Sequence, residues 1–321
     1  MSFKPIYKPR DWVNEELLVL DHLYENPRAI RILEKNLYKI DLINLSSNPE
    51  AIHIIEKNLD KVSWFWLSRN PAAIHILEKN MDKIDWWSLS RNPAAIHLLE
   101  KNPHKINWFW LSRNPAAIHI LEKNLDKVNW SLLSQNPAAI HILEKNLNKV
   151  VWFWLCRYPW AMPIIEKNID KIDWYALSEN PGAIHIIEQN LDKINWWSLS
   201  RNPAAIHLLE ANTDKICWHF VCENPGAIPF LEKNPDNINW RLLSKNPAAI
   251  HLLEKNMDKI NWYLLSENPA IFILDTNAMR QQIDNGFAEE MIAAALHPRH
   301  FARNVELYNY DICLNEYVEL D

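Results

Sequence analysis

Glycine is nearly missing from this chain, with only Gly182, Gly226 and Gly286 among 321 residues. Loops that cradle phosphate need several close backbone approaches without side chains, so P-loop and Rossmann-type nucleotide chemistry is disfavoured. Cysteine is scarce as well. Cys156, Cys217, Cys222 and Cys313 show no CxxC spacing, which argues against a zinc or disulfide framework and for a reducing, intracellular compartment. No apolar run reaches the roughly 18 residues that a membrane-spanning helix takes. The start, MSFKPIYKPRDWVNEELL, has no signal-peptide pattern. Positive charge is not in excess either. Lys and Arg number 34 against 40 Asp and Glu, a net charge of −6. That disfavours a chain-wide footprint for nucleic acid and leaves room only for a local basic stripe.

What is abundant is tryptophan, with 17, proline, with 19, and repetition. Asn-Pro recurs from Asn26 to Asn268 every 22 residues, without insertion, and is replaced once by Tyr158-Pro159. A representative unit is NPAAIHILEKNLDKINWWSLSR, numbered here from its Asn as position 1. WWSLSRNPAAIHLLE occurs at both 86–100 and 196–210, which suggests duplication of blocks. A strict short period of this kind predicts an all-α solenoid of two-helix units. Asn at position 1 suits an N-cap and Pro at position 2 the first helical turn. Ile at position 5 and Ile or Leu at position 8 share a face. Asn at position 11 is expected to end the helix in a left-handed conformation. Asp or Asn at position 16, as in Asp85, Asn107, Asn129 and Asp173, caps a second, shorter helix.

Helices this short are marginal alone, so stacking must stabilise them. The in-phase Trp at position 17, from Trp64 to Trp262, is the expected core column, with about 3–5 kcal/mol lost on truncation to Ala. The chain divides into an N-terminal cap over 1–25, with residues 11–25 as one polar-faced helix, repeats over 26–277, and a helical C-terminal cap over 278–321. Eleven units spaced by about 10 Å would give an open rod or superhelix of about 100 Å.

The tandem phrase WxxLSxNPxAIxxLExN resembles the short Asn-Pro/Trp repeats of giant nucleocytoplasmic DNA virus proteins, whose function is uncharacterised. The resemblance covers 26–277. It implies a viral origin and a binding role, in the host cytoplasm or the virion, and no established activity. Tyr158-Pro159-Trp160, and Pro163 and Pro229 where most units have His, depart from the pattern and mark a local irregularity.

Eight histidines at position 6 (His53, His75, His97, His119, His141, His185, His207 and His251) form a ladder. Rungs about 8–10 Å apart are too distant to share one metal with bonds near 2.0–2.1 Å. A structural ladder, bonded from unit to unit, is favoured over a metal or proton-transfer array. A pH-sensitive stack of repelling imidazoles is the weaker alternative. Glu at position 9 and Lys at positions 10 and 14 are copied along the array, whereas an active site is singular. They read as a solvated, neutralising face. No catalytic motif stands out, and neither catalytic residue, metal nor cofactor is expected.

Variation concentrates at positions 18, 19 and 22. Every unit with Arg at position 22 has Phe or Trp at position 18: Phe65 with Arg69, Trp87 with Arg91, Phe109 with Arg113, Phe153 with Arg157, and Trp197 with Arg201. Four residues apart on a helix, each guanidinium could lie over its ring. Large and small residues alternate at position 19, which reads as packing. Aromatics with arginines are typical of binding hot spots, and a face basic in its first half and acidic from Glu223 onward is expected. These ten residues are the candidate partner-binding set of a non-enzymatic protein-interaction or assembly scaffold. The alternative is a helical-repeat RNA-binding protein. No membrane partner is expected.

Overall fold

The structure, a computed structural model, describes residues 5–282. The chain separates into two compact parts, Pro9–Phe272 and Met1–Lys8 with Ile273–Asp321. The described portion of the smaller part includes most of two paired strands, Tyr7–Pro9 and Phe272–Leu274, whose end residues Pro9 and Phe272 are counted with the larger part. Within it the Asp275 N–H donates to the Ile6 carbonyl at 2.8 Å, and helix Thr276–Gln282 follows. The rest of the expected C-terminal cap lies outside the described residues.

The larger part is an all-α repeat array. Each unit opens with a 3₁₀ turn that runs into a short α-helix, then turns into a second helix. In one unit these are Pro115–Ala117, Ile118–Glu122 and Trp130–Leu133. Asn114 has extended backbone, and its Oδ1 accepts the Ala116 N–H at 3.1 Å. Pro115 follows where no N–H is needed. The second helix is capped as its sequence predicts, Asn129 Oδ1 accepting the Leu132 N–H at 3.0 Å.

The position-1 asparagine does more than cap. Its Nδ2 reaches the two preceding units, donating from Asn114 to the Ser90 carbonyl at 3.1 Å and to the Asn92 carbonyl at 3.2 Å. Serine at position 21 makes the second tie. The Ser90 hydroxyl donates to the Trp86 carbonyl at 2.9 Å and accepts the Asn107 N–H of the next unit at 3.0 Å. Cys222 stands in for that serine, its sulfur accepting the Asn239 N–H at 3.2 Å.

Three expectations are corrected. The buried column is Leu at position 20, Ala at position 4 and Leu or Ile at position 8, as in Leu111, Ala117 and Leu121, all 0 % exposed. The position-17 tryptophans are half-buried instead. The next unit's Lys at position 14 lies over most of them, for example Lys127 at 4.9 Å from the Trp108 ring centre. Where that Lys is replaced by Asn237, Phe230 stacks on Trp218 with ring centres 5.1 Å apart. A half-buried indole with a cationic lid is a seal at the rim of the core. Asparagine at position 11 does not turn left-handed. Asn80 has φ −134° and ψ 50°, and its Nδ2 donates to the Ile76 carbonyl at 2.9 Å, closing the helix end by side chain. Residues 11–25 are not one helix but two short segments, Glu15–Leu17 and Leu20–Leu23.

The departures at Tyr158 and Pro163 are local. Tyr158 makes no capping bond, and the next asparagine, Asn180, ties back to the Cys156 carbonyl at 2.9 Å and to Met162 Sδ at 3.7 Å. Pro163 and Pro229 each fall on the second residue of an α segment and leave the register intact.

The expected open rod is overturned. The Val19 N–H donates to Ser266 Oγ at 2.9 Å, the same bond that Asp85 makes to Ser68 at 3.0 Å. Arg28 Nη1 donates to the Pro269 carbonyl at 3.2 Å, and Arg10 Nε to the Ala270 carbonyl at 2.9 Å. Leu23, 0 % exposed, takes the place of the position-20 leucine. Tyr24 OH replaces the position-21 serine hydroxyl, accepting the Asp41 N–H at 2.8 Å. Residues 19–25 thus supply the second half of a twelfth unit whose first half is Asn268–Ile271. Eleven continuous units and one split unit close Pro9–Phe272 on itself, at about one twelfth of a turn per unit. The seam lacks one staple: Asn26 Nδ2 is buried without a partner.

Two outcomes follow from this geometry. Asn114→Ala removes a cap, leaves the buried Ser90 carbonyl unpaired and leaves the Asn92 carbonyl with the Ala95 N–H alone, and should cost about 2–3 kcal/mol, whereas Asn26→Ala should cost about 1 kcal/mol, as read by urea unfolding. A chain lacking residues 1–25 should show a larger radius of gyration by small-angle scattering, because nothing then occupies Ser266; an unchanged radius would refute closure by the N-terminal segment.

Candidate functional site

Two faces of the array carry repeated polar chemistry. On the first, each position-6 imidazole meets the position-9 carboxylate of the preceding unit. The eight Nε2–Oε1 distances, from His53–Glu34 to His251–Glu232, run from 2.5 to 3.2 Å. The ladder is bonded from unit to unit, but the rings stay about half exposed instead of being packed between helices. Each imidazole faces a carboxylate of the preceding unit rather than another imidazole. Among the described residues, no group of three or more His, Cys, Asp or Glu side chains is placed to hold a metal ion.

The second face holds the variable positions. It is concave along the column. One cavity of about 660 Å³ is lined by residues of five consecutive units, including Lys245, Glu267, Glu25, Ser47 and Trp66. Position 18 projects outward from the short second helix, whose inward side is spent on the buried leucine at position 20. Phe65, Trp87, Phe109 and Trp197 are exposed, Trp197 at 62 % and Phe109 at 47 %, while Phe153 is half-buried. Phe65 and Trp87 stack with ring centres 5.9 Å apart.

The arginines do not each cover their own position-18 ring. Only Arg157 does, 5.6 Å above Phe153. Arg69 lies 5.8 Å from Trp66, Arg91 4.3 Å from Trp110 and Arg201 3.5 Å from Phe220. For Arg91 and Arg201 the ring belongs to position 19 of the following unit. Neighbouring second helices approach closely enough for a long side chain to cross the gap, so the adjacent unit competes with the same helix. Trp66, Trp110 and Phe220 therefore belong to this face. The alternation at position 19 was a signal for them, but its explanation as packing is only half the account: Ser88 and Ala176 are buried, whereas Trp110 carries Arg91 and meets Trp87 edge-on at 5.1 Å.

Position 22 divides electrically, though not into a basic and an acidic half. From Arg157 onward, charges alternate and pair across units. Arg157 binds Glu179, whose other oxygen lies 3.6 Å from Arg201 Nη1, and Arg201 Nε lies 3.6 Å from Glu223. Lys245 binds Glu267, which also meets His22 Nδ1 at 3.0 Å. The expected acidic end is absent because its carboxylates are engaged by cations one unit away. Arg69, Arg91 and Arg113 have no carboxylate partner among the described residues. Burial, with Arg69 and Arg113 beside it, holds the Arg91 guanidinium below its ordinary pKa.

Comparison with protein-family models, with curated proteins and with solved structures finds no match to this chain. Among the described residues, no helix is long and apolar enough to cross a membrane.

Cys156 and Cys222 are buried. Burial pushes the Cys156 thiol up to about 11, and burial raises Cys222 as well. Both stay protonated at neutral pH. In a Cys313→Ser background, Cys217, which is half-buried, should react with a disulfide reagent at pH 8 well before Cys156 or Cys222, whose labelling should await unfolding.

Proposed function

We propose that this chain is a non-enzymatic scaffold that binds a partner protein along the aromatic and arginine face at positions 18, 19 and 22. The observation that carries this reading is the exposure of large rings where the fold does not require them. The same position holds Ser131, His219 and Arg241 in other units, and those units keep the same two-helix form. Exposed Phe65, Trp87, Phe109 and Trp197 are thus free to be recognition elements, and arginine beside aromatic is the composition on which binding energy concentrates. Closure strengthens the case, since a closed array has no open end whose apolar surface would need capping. Among the described residues, the position-6 histidines and position-9 glutamates are copied from unit to unit and paired, a repeated rather than a singular arrangement. A viral origin, with action in host cytoplasm or virion, belongs to this proposal as the repeat resemblance implies it.

Serine is a natural occupant of position 18, so Trp87→Ser with Trp197→Ser should leave the thermal melt nearly unchanged. The same double variant should lose, by about tenfold or more, the partner that the wild-type chain retains after cross-linking and affinity purification. A partner retained equally by both proteins would count against this face.

A further inference from the structure

We propose that the arc from Phe65 to Arg113 receives an extended acidic segment of the partner, with successive carboxylates meeting Arg69, Arg91 and Arg113. This rests on the scaffold reading and adds the chemistry of what is bound.

The first argument is charge. Of the five position-22 arginines, Arg157 and Arg201 are already neutralised by Glu179 and Glu223. The remaining three stand in consecutive units without a carboxylate. Like charges in a row on a concave wall repel, and Arg91 bears this from both sides. An anionic ligand removes that repulsion and gains charge-assisted hydrogen bonds. The second argument is extent. Position 22 is Ser47 before the run and Gln135 after it, and beyond these lie Glu25 and the paired Arg157. The basic stretch is therefore three units long, which suits a short peptide better than a nucleic acid, whose binding draws on a continuing positive groove.

The third argument is spacing. Helices of neighbouring units pack about 8–10 Å apart. A polyproline II segment rises about 3.1 Å per residue with three residues per turn, so residues i, i+3 and i+6 share one side about 9 Å apart. Acidic residues at that interval would meet one arginine per unit. The fourth is preorganisation. The Arg91 guanidinium is held over Trp110 at 4.3 Å, and a cavity of about 200 Å³ is lined by Arg91, Trp110, Arg113 and Asn114. Exposed Phe65, Trp87 and Phe109 flank the arginines and offer apolar contact to the residues between the acids.

The test uses the full chain and a fluorescein-labelled synthetic peptide with Glu at every third residue and Pro or Leu between, followed by fluorescence anisotropy. Gln135 shows that glutamine is accepted at position 22, so Arg69→Gln/Arg91→Gln/Arg113→Gln should fold, which a thermal melt checks. The expected result is salt-sensitive binding that falls about tenfold or more in the triple variant and less than about twofold in Arg201→Gln. The peptide with Lys in place of Glu should not bind. Three results would overturn the proposal: no binding of the Glu peptide, equal loss in Arg201→Gln, or a uridine oligonucleotide that displaces the peptide and binds more tightly. If the peptide fails while partner capture still depends on Trp87 and Trp197, only the acidic chemistry is wrong. If capture is also independent of those rings, the scaffold reading fails with it.

Discussion

One carboxamide in every unit except that of Tyr158 ties this array together. Its oxygen must accept the N–H that starts the first helix, and its nitrogen must donate to carbonyls of the two units before. Aspartate and serine cap helices equally well, but aspartate has no donor, and a serine hydroxyl is too short to make both connections. At Asn114 all three bonds are present, and the side chain is 1 % exposed. Buried backbone groups must be paired, so the 22-residue spacing is held wherever this asparagine stands. Position 21 adds the second tie, from a side-chain oxygen to the N–H 17 residues on. The short helices need no intrinsic stability, because each is bonded to its neighbour.

The same two ties explain how Pro9–Phe272 closes. A repeat array leaves an unmatched face at each end, and most arrays cover it with a dissimilar cap. Here the final Ser266 hydroxyl meets the Val19 N–H as if Val19 were the next residue in phase. Tyr24 then passes the register on through its hydroxyl to Asp41. The closure is imperfect at Asn26, whose Nδ2 lacks the carbonyls that its equivalents find. The seam and the Tyr158 joint are the two places where no position-1 carboxamide nitrogen ties one unit to those before it.

Closure also decides the character of the variable face. In an open rod, positions 18, 19 and 22 would form a stripe of independent units. On a concave wall, neighbouring side chains come within reach of each other, and identity alone no longer tells what each does. Arg91 and Arg157 occupy the same position of the same motif. One stacks on the following unit's indole with no counter-ion, and the other is bound to the half-buried Glu179. The local rule of four residues along a helix held only for Arg157.

Periodicity alone determined the helical repeat, its two caps, the copied and therefore non-singular histidines and glutamates, and the columns free to vary. All of these depend on contacts within one unit or on a comparison between units. The tertiary structure alone decided which residues are buried. Trp at position 17 and Leu at position 20 both recur in phase, and only packing makes Leu111 the core and Trp108 its rim. It also decided that the ends meet, since a small rotation per unit leaves no mark within a unit and becomes visible only when it has accumulated over the whole circuit. Charge pairing at position 22 follows the same logic. It depends on the distance between units, and that distance is set by curvature rather than by spacing along the chain.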